Sequence, residues 1–205
     1  MNLNIPYMET DNKLLNDAYR IAAGDIVGNI VYYQNGLLTE EKPCMIAGLD
    51  YNTPWTRDTA INIWNALSIL SPEVSKNTLL AVLEEEEGNI YIGGQYWDSI
   101  IWMIGAREYC RFHKDDNFYR LAFEAGRNSV HRLEEDEFDE EDGLFRGPAV
   151  YGDGIAAYPD KYSKCPNQGS GILEWVDYPG NPVYPKGYGI PMKALSTNCV
   201  YFKAY

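Results

Sequence analysis

Between Asp58 and Leu70 the chain is apolar on almost every side of a helix. Ala60, Ile61, Ile63, Trp64, Ala66, Leu67, Ile69 and Leu70 leave no polar stripe. A helix without a polar face must be surrounded by protein or by lipid. The run falls short of the ~18 continuous apolar residues of a membrane span, and no other window reaches that length. Protein is therefore the expected surrounding. Trp97 to Phe112 repeats the pattern, with Trp97, Ile100, Ile101, Met103, Ile104 and Ala106 spread over three sides. Each buried run is followed by an amphipathic one. Ser71-Pro72-Glu73 reads as an N-cap, a Pro at the first helical position and an acidic first turn, opening a helix through about Glu86. Asp116 to Leu133 carries Phe118, Leu121, Ala122 and Ala125 on one stripe. Asp11 to about Tyr33 is amphipathic through Leu14, Leu15, Ala18, Ile21 and Ala22, although Gly24 and Gly28 weaken its second half. A last apolar helix starts near Ser196, and no long alternating Val/Ile strand is visible. The expectation is an all-α chain of buried-then-amphipathic helix pairs in concentric rings, with Trp64 and Trp102 in the core. Long irregular loops such as Asp142 to Thr197 rule out a left-handed bundle, which needs short ones.

The 205 residues suffice for one domain, taken here as 1–205, with a sizeable core. A net charge of −13 repels polyanions, so nucleic acid and anionic membranes are excluded as partners. Met1-Asn2-Leu3-Asn4-Ile5-Pro6 has neither the basic nor the apolar region of a secretion signal, which implies a cytoplasmic protein if Met1 is the native start. Cys44, Cys110, Cys165 and Cys199 lie far apart and form no C-x-x-C, and with only His113 and His131 beside them a structural zinc is not expected. The acidic run Glu134 to Asp142 fails the spacing of a calcium loop. No metal and no cofactor is expected. Glu84 to Glu87 reads as an exposed helix end.

Aromatic residues make up 14% of the chain, and 17 of them are Tyr, whose ring packs while its hydroxyl bonds. This suits a surface for an amphipathic ligand. Asp50-Tyr51-Asn52-Thr53-Pro54-Trp55-Thr56-Arg57-Asp58 sets a ring plate, a fork of donors and a carboxylate at the mouth of the first buried helix. Trp55 suits the C–H face of a sugar, and Arg57 with Asp58 suits its hydroxyls. Tyr96, Trp97 and Asp98 hold the corresponding place before the second buried helix. Glycosidic hydrolysis needs carboxyl groups in pairs, one as acid and one as base or nucleophile. Asp153 in Val150-Tyr151-Gly152-Asp153-Gly154 is the candidate acid: its glycines admit substrate, and Tyr151 can desolvate the carboxyl and raise its pKa. Gly-Asp-Gly also favours a plain turn, and both readings stay open. Glu174 and Trp175, in the long loop, could complete the pocket.

Trp55-Thr56-Arg57-Asp58 ahead of an apolar helix resembles the first inner helix of the six-hairpin, (α/α)6-barrel glycoside hydrolases, the group of glucoamylases, trehalases and processing glucosidases. Gly94-Gln95-Tyr96-Trp97-Asp98-Ser99, with Glu108-Tyr109 and Lys114-Asp115-Asp116 after it, is similar to their second hairpin. Asp142-Gly143-Leu144-Phe145 and Gly152-Asp153-Gly154 look like their next catalytic-face loop, and Leu195-Ser196-Thr197-Asn198 like the start of a further inner helix. The resemblance implies a partial α/α toroid, about half of the six-hairpin barrel and incomplete at its C-terminus. It also implies hydrolysis of a neutral oligosaccharide or glycoside, inverting, with Arg57 and Asp58 gripping the sugar at the cleavage point. Half a ring would expose its inner face, so either the gene product continues or the chain self-associates. The competing reading is a non-catalytic carbohydrate-binding or scaffold protein on the same helices. A terpene-cyclase toroid ranks below both, because Asp139-Glu140-Glu141-Asp142 lies in a loop rather than on a helix.

Overall fold

The computed structural model describes residues 5–94, 97–147, 149 and 193–205. After the N-terminal helix α1 (Lys13–Gly28) come strands β1 (Ile30–Tyr33) and β2 (Lys42–Met45). The first buried run forms α2 (Thr56–Asn62), a π-helical turn (Ile63–Leu67) and the short α3 (Ser68–Leu70). Then follow α4 (Pro72–Ala81), β3 (Leu83–Glu86), β4 (Asn89–Ile92), α5 (Asp98–Phe112) and α6 (Asp116–Glu137). Strands β5 (Phe138–Asp139) and β6 (Leu144–Phe145) precede α7 (Leu195–Ala204).

The all-α expectation is therefore wrong: the chain is mixed α and β, with three two-stranded antiparallel sheets among the helices of the described residues. Nothing in the arrangement shows a toroid, partial or otherwise. The strands escaped notice because each is four residues or fewer, too short to display alternation. Two corrections share one cause. Asp11 to Tyr33 is not one helix: it stops at Gly28, and Ile30–Tyr33 pairs with Lys42–Met45 in register Ile30↔Met45. Likewise Glu84 to Glu87 is no helix end. Glu84, Glu85 and Glu86 sit on β3, and Glu87 with Gly88, both at positive φ (51° and 81°), turns the chain into β4. A two-residue turn with left-handed residues matches the twist of the strands it joins.

The core forms where the π turn, α4, β3, α5 and α6 meet, around Ile63, Leu67, Leu79, Leu83, Trp102 and Phe118. The Trp102 indole N–H donates to Leu79 O at 3.3 Å, so the buried ring leaves no orphan donor there. Hairpin β1–β2 is tied to α4 through Met45 N–H to Thr78 Oγ1 (2.9 Å) and Leu37 N–H to Leu80 O (3.1 Å). Hairpin β3–β4 is tied to α6 through Ile92 N–H to Ser129 Oγ (2.9 Å) and Asn128 Nδ2 to Ile90 O (3.0 Å). The first turn of α6 is capped by Asp115, which accepts from Phe118 N–H (3.0 Å) and pairs with Lys76 of α4 (2.6 Å).

Helix α5 lies directly on α2. A Cβ on Gly105 would meet Ala60 Cα at 2.8 Å, so the two backbones touch where side chains normally intervene. Toward the N-terminal end, Thr56 of α2 adjoins Gly94 just ahead of α5. Both helices consequently run the same way, with their first turns together. Trp64 departs from the expected core. It is 37% exposed, with the Lys203 ammonium 4.5 Å from its ring centre. The π turn adds a residue to the helical repeat and rotates the following side chains away from the face that period 3.6 assigns them. Ile69 is also exposed, so this helix is not enclosed on all sides. Helix α1 buries none of its residues: Leu14, Leu15, Ala18, Ile21 and Ala22, the face expected to pack, are exposed, and Ile26 is the α1 residue packed against the core. Among the described residues no helix is long and apolar enough to cross a membrane.

Candidate functional site

At the joined first turns of α2 and α5 lies a cleft of about 260 Å³. Thr53, Pro54, Trp55 and Thr56 form one wall; Leu83, Glu84, Gly93, Gly94 and Asp98 contribute to the other. Trp55 holds an extended backbone (φ −106°, ψ 137°) immediately before α2, which carries its ring out beside the helix rather than into the core. The ring remains 40% exposed and meets Tyr51 edge-on, centroids 6.1 Å apart. Thr56 is buried, and its hydroxyl donates to Gly93 O at 2.8 Å. That bond locks the Trp55 segment to the end of hairpin β3–β4.

Two glycines make the far wall. Gly94 sits at φ +119°, and a Cβ there would lie 2.7 Å from Asp98 Oδ2 and 3.0 Å from Thr56 Oγ1. A Cβ on Gly93 would lie 2.4 Å from Glu84 Oε1. Bare backbone at both positions lets the carboxyls of Glu84 and Asp98 close in from either flank. Asp98 itself is only 3% exposed, at the head of α5.

The structure brings Trp55 and Asp98, separated by 42 positions in the chain, onto one cleft. Arg57 and Trp97 form a second meeting, the guanidinium carbon 5.6 Å from the ring centre. Trp97 is 1% exposed and packs with Ala60, Ile100 and Ile101, so it braces Arg57 from the core rather than facing solvent. Asp58 is half-buried in the first turn of α2 and does not line the cleft. Tyr96, Tyr151, Asp153, Glu174 and Trp175 lie outside the described residues.

Glu84 and Thr56 were missed in sequence. Glu84 was hidden inside an acidic run assigned to a helix end. The signal that could have found it is the Gly93-Gly94 pair one strand later, since consecutive glycines after a short apolar run mark close backbone approach.

Cys44 and Cys110 offer no nucleophile near neutrality. Burial pushes Cys44 up to about 12 and Cys110 up to about 11, so both stay protonated near neutrality. Among the described residues no group of three His, Cys, Asp or Glu is placed to hold a metal ion. A larger hollow of about 930 Å³ lies between the end of α6, hairpin β5–β6 and α7; Gly143, Leu144, Phe145 and Asn198 of the resemblance motifs line it, but none of the described candidate catalytic or sugar-binding residues does. No family model, curated protein or solved structure matches the chain.

Proposed function

We propose that the chain binds a saccharide in the Trp55 cleft and belongs to a glycoside hydrolase acting on neutral oligosaccharides or glycosides. One observation carries this reading. An exposed indole, a carboxylate and a threonine from two distant motifs line a single hollow. Sugars are held by that combination: a ring plate under their C–H face, and acceptors fixed at the rim for their hydroxyls. The cleft falls below the roughly 300–1,000 Å³ of pockets for drug-sized ligands, which matches one sugar ring rather than a long oligosaccharide.

In this reading Trp55 stacks on the ring and Asp98 accepts from its hydroxyls. Arg57, braced on Trp97, is not among the residues that line the cleft. Asp153 is the proton donor to the leaving oxygen, and a second carboxylate activates water in the inverting manner.

The test is turnover of a panel of aryl glycosides, run with sugar titrations followed by tryptophan fluorescence. Trp55→Ala should weaken sugar binding about fivefold to thirtyfold, since stacking and desolvation of one ring are worth about 1–2 kcal/mol. Asp153→Asn should abolish turnover and leave affinity intact. Sugar affinity without turnover by the wild type would mark a non-catalytic binding protein. No affinity for any sugar would end the saccharide reading.

A further inference from the structure

The charge of the cleft narrows the sugar. Among the described residues that line it, Glu84 and Asp98 are the charged groups and none is a lysine or arginine. Glu84 is exposed on β3, opposite Tyr91 of β4, with its Oε1 against the bare Gly93 backbone. The cation on this hairpin is taken elsewhere. Arg132 bonds Glu86 at 2.7 Å, and its guanidinium lies 3.7 Å from the Tyr91 ring centre. Glu84 therefore keeps its negative charge for whatever enters, in a chain whose formal charge is already −13.

Resting on the saccharide reading above, we propose that Glu84 is a specificity-determining residue that selects sugars by charge. The cleft accepts neutral sugars, favours those carrying a protonated amine, and rejects uronates and sugar phosphates. The reason is Coulombic. A sugar carboxylate brought beside Glu84 meets like charge, with no lysine or arginine among the described lining residues to offset it, whereas a sugar ammonium gains an exposed ion pair worth a factor of about two to five. Rejection of the wrong charge is a form of specificity that needs no further contact. Glutamate at this place also accepts hydroxyl hydrogen bonds from a neutral ring, which its amide analogue does as well.

The test uses three probes of one ring shape: a methyl hexoside, the corresponding 2-amino-2-deoxyhexoside and the corresponding hexuronate. Each is titrated into the whole chain and into Glu84→Gln, at about 20 mM and about 500 mM salt. The expected order at low salt is amine tightest, neutral next by a factor of about two to five, and uronate weakest. High salt should compress that order. Glu84→Gln should compress it at low salt too, with a circular-dichroism spectrum and melt like those of the wild type showing that the variant is folded. Uronate binding equal to neutral hexoside, or an order unchanged in Glu84→Gln, overturns the proposal and leaves the saccharide reading standing. Neutral hexoside binding that fails in the wild type, or that ignores Trp55→Ala, overturns both.

Discussion

Gly94 shows how much a single position can decide here. Its φ of +119° is one that side-chain-bearing residues rarely adopt, and its missing Cβ is what allows Asp98 and Thr56 to meet across it. Gly94→Ala should lower stability by about 1–3 kcal/mol through backbone strain, read as a drop in the urea midpoint at constant slope. Sugar affinity should fall further than the lost folded fraction explains, because the methyl group enters the cleft wall. The same scale shows what sequence could and could not reveal. Trp55 and Asp98 stood out because an aromatic and an acid preceding an apolar helix are legible in one dimension. Trp64 misled, because a helical wheel assumes 3.6 residues per turn and nothing in Ile63-Trp64-Asn65-Ala66-Leu67 announces a π turn. Glu84 stayed hidden because a run of four acids says charge, not direction.

The elements divide by what buries them. Helix α5 was legible nearly to the residue and α6 at its start, since long periodic segments fix their own faces, although α6 runs on to Glu137, four residues past the expected Leu133. The hairpins were not, because four-residue strands take their stability from the helices they rest on rather than from their own pattern. Packing at the α2–α5 crossing sets up a paired prediction. Gly105→Ala forces a methyl group to within 2.8 Å of Ala60 Cα, so overpacking should cost about 1–3 kcal/mol despite alanine's better helix propensity. Gly24→Ala, on α1 with nothing within 4 Å, should instead stabilise by up to about 1 kcal/mol. Equal effects at both sites in thermal melts would mean that α5 does not lie against α2. A second element-level prediction concerns the seat of α7. The Asn198 side chain accepts from Phe145 N–H (2.8 Å) and donates to Phe145 O (3.0 Å), while Tyr201 stacks on the Phe145 ring 3.6 Å away. Asn198→Ala strands both backbone groups of β6 and should cost about 1–3 kcal/mol, read from the same melts.

At the scale of the whole molecule, charge sets a stability profile with three regions. Several carboxylates are held below their ordinary values by the partners they bond. Asp115 is lowered first by Lys76 and then by the Phe118 N–H, Glu86 by Arg132, Asp139 by Lys193, and Glu134 by the Tyr205 hydroxyl and then His131. A depressed folded pKa gives stability that is present above the ordinary carboxylate range, near 4, and lost as pH falls through the folded values. Acid unfolding is therefore expected below about pH 4, and Asp115→Asn should flatten that limb. Burial acts in the opposite sense on Cys44, Cys110 and Tyr109, each held above its ordinary value. Their contribution is present below the ordinary thiol and phenol range and disappears as pH climbs through the raised values, from about 9 toward about 12 for Cys44. Between these limbs the net charge of −13 works against the compact state by self-repulsion. Lowering pH from 8 toward 5 relieves part of it before any paired carboxylate is protonated, so the melting temperature should rise to a maximum near pH 5 to 6. Salt should imitate that rise at pH 8, because a Debye length shrinking from about 30 Å at 0.01 M to about 8 Å at 0.15 M screens the distant repulsions while the close ion pairs are screened less. A melting temperature at pH 8 that falls on adding salt would show that the paired charges outweigh the excess ones, and would reverse this account of how the chain tolerates its acidity.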